Sequence, residues 1–573
     1  MTKIQDSQIL KRILLYLKPF KPRVIILAVC LVIMTCSSFV QPLILRNITD
    51  QGMVNKNFDL ILFFSIMLLF AYTIHQVSGL VQSKTFIKIH NEFSLALYKE
   101  AFEKLLRLPI NYYHDRSNTE IVSTITTDAD RVASIADQGL LFSITNIMQI
   151  VSGLIGLIII DWKLTLVVVS AIPVKFYIVK KLSIKKRTII QELINTIRKF
   201  NAWFGDNVGG IREIKLWNIF MLKVNQFTQI QKDVLKANTS NSMLDKYNMF
   251  IETLLDVSIN CILYILSGFL IVKGSFTIGG AFAFLSYSSY VIGPIGILLN
   301  INYSIAQIIP SANRLFDFLD LPEEKLDVVE GKFETKVDAE KKDALIDVEM
   351  LEFYYDKSRP LLKNVSFKVY EGEKIGIIGL NGTGKSTIIN LLLGFYQPVS
   401  GKIRIDGKEL NELGLGNLRS KFAVVSQDPY FFQATIAQNI DISESSSKMT
   451  IENACQKSGA AKFINKLECG YEQYIGQRGA KLSGGEKQKL ALASAFIKQA
   501  NIVILDEATS NYDVDSDQYI RNVIAHDLIG KTVLLVTHDY SALKQLDRVL
   551  ELKNGTIVEV DVTHLDGLQE GLG

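Results

Sequence analysis

The chain has 573 residues, 48% of them hydrophobic, with a formal net charge of +4 and a mean hydropathy of +0.22. It is too long for one ordinary domain and too apolar for a wholly water-soluble protein. So small a charge excess makes no case for nucleic acid. The five cysteines (Cys30, Cys36, Cys261, Cys455, Cys469) have the spacing of neither a metal site nor a disulfide framework.

In chain order, SQILKRILLYLKPFKPRV at 7–24 alternates bases with Leu, Ile and Tyr and reads as an interfacial amphipathic helix. It carries no small-residue cleavage site, so no cleavable signal is expected, nor a fused peptidase ahead of the first span. Apolar stretches long enough to cross a bilayer are predicted at 24–45, 60–82, 139–160, 164–182, 250–272 and 280–305. Glu252 and Asp256 sit in the first turns of the fifth. Segments 83–138 and 183–248 are rich in Lys and Arg, whereas 46–59, 161–163 and 273–279 are short and nearly uncharged, so the positive-inside rule puts the long segments and both chain ends in the cytoplasm. The expected division is a transmembrane domain at 1–319, a charged linker at 320–344 and a second, water-soluble domain at 345–573.

Beyond the linker, 345–356, 365–379, 402–407, 421–428, 500–508 and 531–539 read as strands with helical patterns between several of them, an α/β fold with a mostly parallel core. GLNGTGKST at 379–387 completes the G-x-x-x-x-G-K-[ST] pattern between a predicted strand and helix. There the N–H groups of a helix N-terminus gather around phosphate, Lys385 neutralises β- and γ-phosphate charge, and Ser386 offers a hydroxyl to Mg²⁺. Four apolar residues, Ile502 to Leu505, carry Asp506 and Glu507 to a strand tip. Asp506 would act on the metal, and Glu507 on the attacking water as general base.

With these motifs in order, the chain resembles the ATP-binding cassette transporter superfamily over essentially its whole length, in particular half-transporter exporters with six spans followed by one cassette. The fold this implies is an α-helical transmembrane domain, six helices with long cytoplasmic extensions, plus an α/β P-loop nucleotide-binding domain. GLNGTGKST is similar to Walker A, with Asn381, Gly382, Thr383, Gly384, Lys385, Ser386 and Thr387 on ATP, and IVILDE is similar to Walker B. Gln427 resembles the Q-loop glutamine that senses Mg²⁺ and the γ-phosphate. LSGGE (482–486) resembles the signature that completes the opposite subunit's ATP site through Ser483, Gly484, Gly485 and Glu486. His538 resembles the switch histidine, Asp513 the D-loop aspartate, and Tyr355 the adenine-stacking aromatic, with Tyr354 as a register alternative.

The membrane half carries further likenesses: 161–174 resembles the external turn between spans 3 and 4, and 274–295 the entry to span 6. Segments 108–132 and 209–227 resemble the intracellular loops, with coupling helices near Tyr113 to Thr119 and Trp217 to Met221. Departures from the family pattern are SNYD at 510–513, Gln477 in place of a glutamate, Ser494 in place of an arginine and Asn118 in place of a glycine.

The resemblance implies an ATPase with ATP and Mg²⁺ as cofactors, embedded in a bacterial inner or plasma membrane among its lipids. A signature that acts in trans requires a dimer. An intact Walker A, Glu507, LSGGE and His538 favour a homodimer over a heterodimer with a second half-transporter. The expected activity is export of a peptide or an amphipathic, drug-like small molecule. The alternatives are a lipid or glycolipid flippase and a non-transporting channel or regulator, and an importer is disfavoured. Glu252 and Asp256, spaced i, i+4, would suit a cationic cargo, or would sit at the interface or pair with Lys246 or other bases; His75 and Lys175 are further polar candidates for cargo, with helix–helix pairing the preferred reading for each.

Overall fold

The computed structural model describes residues 9, 11–13, 15–16, 18–114, 116, 118–134, 140–324, 344–476, 479–507, 522–537 and 540–560. The chain divides into two compact units, Met1–Leu106 with Asn118–Leu321, and Arg107–Ser117 with Pro322–Gly573. Most of the expected linker, 325–343, lies outside the described residues.

Helices dominate the first unit. Among the described residues, six are long and apolar enough to cross a membrane. They belong to α1 (Lys21–Asn47), α2 (Phe58–Leu106), α3 (Leu140–Ile160), α4 (Trp162–Gly209), α5 (Phe220–Val272) and α6 (Ile278–Leu319). At 49, 48 and 53 residues, α2, α4 and α5 each run for about 75 Å, more than twice the thickness of a hydrocarbon core. Most of the two basic segments is therefore helix that continues past the apolar stretch. Glu252 and Asp256 do not interrupt α5.

Local chemistry sets the turns. Asp161 is extended and its carboxylate accepts from the N–H groups of Lys163 and Leu164 at 2.7 and 3.0 Å, so one residue both ends α3 and caps α4. Thr277 caps α6 through Gly280 N–H. Within the bundle α3 packs on α6 through small residues: a Cβ at Gly156 would lie 2.6 Å from the Tyr287 ring, and one at Gly153 would lie 2.8 Å from Val291. The Tyr287 ring is fully buried and its hydroxyl donates to the Phe39 carbonyl, which satisfies the polar tip of a core aromatic.

The basic start of the chain is docked rather than loose. Ile13 is buried, and Arg12 makes two hydrogen bonds to Asp320 at 2.7 and 2.9 Å while lying 4.3 Å from the Phe316 ring centroid. The second coupling helix differs from expectation. The short helix is Ile211–Leu216, and Trp217 to Ile219 form the turn into α5, because Asn218 takes a left-handed φ of +52° that ends the helix.

Among the described residues of the second unit, ten strands form two sheets: β1 (Ile346–Phe353), β2 (Leu362–Val369), β3 (Lys374–Ile378), β4 (Ser400–Ile405), β5 (Lys408–Glu409), β6 (Phe422–Val425), β7 (Ile502–Asp506), β8 (Thr532–Val536), β9 (Arg548–Lys553) and β10 (Thr556–Val560). The first sheet, ordered β2-β1-β4-β5, is antiparallel. The second is ordered β10-β9-β3-β8-β7-β6 and is parallel from β9 to β6.

Two strand expectations change. The stretch 365–379 is two strands in different sheets, divided at a turn where Gly372 has φ +77°. The β9–β10 hairpin was not among the predicted strands, although its turn, Asn554-Gly555 with φ of +52° and +83°, is a strong hairpin signal. Buried Val, Ile and Leu on both faces of β3, β7 and β8 fix the parallel core.

Candidate active site

The order β3-β8-β7-β6 lines up four carboxyl-terminal strand ends, and each motif follows one of them. Ligands bind along such an edge. Walker A follows β3, His538 lies beyond β8, Asp506 ends β7, and Gln427 lies two residues past β6. His538, Asp513 and Gln477 fall outside the described residues.

Helix α7 (Lys385–Leu392) starts at Gly384, whose φ of +112° and ψ of 15° bring the loop onto the helix N-terminus. Lys385 is buried, with Nζ donating to the carbonyls of Gly379 and Leu380 at 2.8 and 3.2 Å. Burial lowers its pKa, against the pull of Glu507 and Asp506 nearby. Asp506 moves the other way: burial raises its pKa, while a hydrogen bond from Ser386 and the charge of Lys385 oppose the rise. Asp506 Oδ1 is buried without a hydrogen-bond partner among the described residues. An unpaired carboxylate oxygen beside a serine hydroxyl is an oxygen donor set that fits Mg²⁺.

Glu507 has φ +47°, uncommon for a side-chain-bearing residue, and its N–H donates to Val536 O at 2.8 Å. Its carboxylate accepts from Gln427 Nε2. Tyr355 is 59% exposed, with its hydroxyl 3.2 Å from Thr387 Oγ1 and its ring edge-on to Phe353 and Tyr396. Asn381 and Gly382 are exposed at the loop tip.

Gly384 yields a direct prediction. A Cβ there would sit 3.0 Å from Leu362 Cδ2 and 3.2 Å from Leu361 Cγ, at a φ that side chains avoid. Gly384→Ala is expected to weaken ATP binding about tenfold, as a strain of about 1.4 kcal/mol at the loop would. Titration of a fluorescent nucleotide checks it, and unchanged affinity would remove Gly384 from the phosphate loop's requirements.

The structure thus joins Walker A, Walker B and Gln427 within one chain. The signature stands at its own helix: Ser483 caps α8 (Gly484–Lys498), sharing a capping box with Glu486, and Ser483 and Gly484 are exposed. Two residues escaped the sequence reading. Tyr396 packs against Tyr355 on one side and stacks with His114 on the other at 6.4 Å. His114 ends the short helix Asn111–His114, where the first coupling helix was expected as Tyr113 to Thr119; the next helix starts at Asn118. Gln488 is the second, its Nε2 donating to Gln427 O at 3.0 Å. Its signal was a polar side chain on the apolar stripe of α8.

In the membrane unit Lys175 is 2% exposed, and its Nζ donates to Asp256 Oδ1 at 2.5 Å and to Ile292 O at 3.0 Å. Asp256 therefore pairs with a residue of α4 rather than with Lys246, which realises the helix-pairing reading of Lys175. Glu252 packs against buried Gly296, where a Cβ would meet its Oε2 at 2.9 Å. His75 is half-buried on α2.

Comparison with known proteins agrees with this arrangement. The family described as ABC transporter transmembrane region matches residues 24–295, and that described as ABC transporter matches residues 362–510. Curated relatives include proteins named ATP-dependent lipid A-core flippase. The one from Alcanivorax borkumensis is 29% identical, covering 81% of this chain and 79% of the relative. That from Blochmanniella floridana is 28% identical over 98% of this chain and 96% of its own length. A Yersinia pseudotuberculosis relative is 27% identical over 96% and 94%. Among solved structures, one described as a bacterial Atm1-family ABC exporter with ATP bound shares the fold with a TM-score of 0.79 at 21% identity, covering 96% of this chain and 97% of that one. The chain belongs to the ABC transporters, as an integral multi-pass membrane protein of the exporter-type half-transporter class whose cytoplasmic domain hydrolyses ATP.

Proposed function

We propose that two copies of this chain form a homodimer that uses ATP to move a lipid of the glycolipid class from one leaflet of a bacterial inner membrane to the other. The observation that carries this reading is likeness along nearly the full length, 94 to 98% of this chain for most of the relatives, to proteins named lipid A-core flippases. The peptide or drug cargo expected from sequence has no comparable support. Its main physical motive, an acidic pair awaiting a cation, is weakened because Lys175 already engages Asp256.

The chemistry follows from the site. Phosphate is held by the N–H groups opening α7 and by Lys385, and Tyr355 stacks on adenine with its hydroxyl anchored at Thr387. Ser386 and Asp506 would hold Mg²⁺, with Gln427 sensing it; the ion supplies charge that stabilises the transferring phosphoryl oxygens. Glu507, steadied by Gln427, takes the proton of the attacking water. His538 contacts the γ-phosphate. Ser483, Gly484, Gly485 and Glu486 of each subunit meet the other subunit's nucleotide, and for Asp513 the role is the one that the family resemblance implies. The homodimer rests on one chain carrying all of these groups. ATP bound between two cassettes stabilises their closed arrangement over the open one, and hydrolysis removes that preference.

To test the cargo, the purified chain is reconstituted in vesicles with and without a lipid A-type glycolipid, and its ATPase rate and the leaflet of a labelled glycolipid are followed. Several-fold stimulation by the glycolipid with ATP-dependent leaflet exchange is the expected result. Stimulation by amphipathic peptides alone, with no lipid movement, would return the reading to peptide export.

A further inference from the structure

On the buried face of α8 one amide sits among apolar neighbours. Gln488 is 1% exposed and is buried in α8 along with Leu490, Ala491, Leu492 and Ala493. Its Nε2 donates to the backbone carbonyl of Gln427 at 3.0 Å, and because that carbonyl can only accept, the amide orientation is fixed. Among the described residues Oε1 is left buried with no hydrogen-bond partner. A buried acceptor in that condition is destabilising, and a methionine of similar volume would avoid it, so packing alone gives no reason for an amide here.

The reason lies at the other end of the bond. Gln427 is exposed in a bend beyond β6, outside the sheet ladder, and its side chain donates to Glu507. In the opposite direction, Gln488 lies five residues, or about 7 Å of helix, from Ser483, the exposed cap at the start of α8. We propose that Gln488 is a positioning residue that holds Gln427 on Glu507 and ties the signature helix to that pair. Engagement of Ser483 with the partner subunit's nucleotide is then felt at Glu507 of the same chain through a rigid turn and a half of helix and two hydrogen bonds. This deepens the catalytic reading of Glu507 and Gln427 and rests on it.

The test uses the full chain in vesicles, with Gln488→Met, Gln427→Ala, their combination, and Glu507→Gln. Gln488→Met is expected to lower kcat for ATP hydrolysis about tenfold, with the KM for ATP and the unfolding temperature little changed. Added to Gln427→Ala, it is expected to lower kcat by no more than about twofold, because its effect passes through Gln427. A merely structural role would give a lower unfolding temperature and an additive loss. Wild-type kcat in Gln488→Met, or the full tenfold loss on top of Gln427→Ala, overturns the proposal. If Gln488→Met does not fold, Gln488→Asn, one methylene short of the carbonyl, carries the same two expectations. Wild-type hydrolysis by Glu507→Gln would remove the catalytic premise itself and the relay with it, whereas an inactive Glu507→Gln beside a fully active Gln488→Met defeats the relay alone.

Discussion

Glu507→Gln is expected to lower kcat for ATP hydrolysis by about 10²- to 10³-fold while ATP affinity stays within about threefold. The substitution keeps the side-chain length and the partnership with Gln427 but leaves nothing basic enough to take a proton from water. The groups assigned to phosphate, Lys385 and the N–H groups opening α7, are untouched. The backbone at Glu507 is fixed independently of the side chain, by its N–H bond to Val536 O and its place at the end of β7, so folding should survive. Steady-state hydrolysis by the reconstituted protein, with mass measurement of the assembly, decides the matter. A Glu507-dependent dimer supports the self-sufficient homodimer. Activity in the variant within tenfold of wild type would move the general base elsewhere, and a well-folded monomer that binds ATP without hydrolysing it would call for a second half-transporter.

Lys175→Met should destabilise the membrane unit by about 3 kcal/mol, because it strands Asp256 among packed helices. Lys175 is 2% exposed and Asp256 38%, so the cost falls on a carboxylate that loses its partner without gaining full solvation. The Ile292 carbonyl loses a donor as well. Lys175→Met combined with Asp256→Leu should recover most of the loss, since apolar replacement of both members of a buried pair is often near neutral. Thermal unfolding of the detergent-solubilised protein reads both. If Lys175→Met left stability untouched and altered only the lipid response, the pair would belong to the cargo path instead of to helix packing.

Whatever depends on near neighbours in the chain was legible in the order of its residues. A glycine-rich loop between a β-strand and a helix, two carboxylates after four apolar residues, and a Ser-Gly-Gly-Glu cap each encode local backbone geometry. The structure places them at α7, β7 and α8 accordingly. Apolar runs of membrane length likewise marked all six spans. The Asn554-Gly555 turn was equally local, and the hairpin it makes could have been read from the same kind of signal. Which distant groups meet depends on how the elements pack. Lys175 and Asp256 are 81 positions apart, Gln427 and Glu507 80, and Gln427 and Gln488 61. No periodicity along one element carries such pairings, because they arise from strand order and helix packing. A charge in a span is compatible with a cargo ligand or a packing partner, and the facing helix decides between them. A polar residue on the α8 stripe had no stated purpose until the Gln427 carbonyl was found against it.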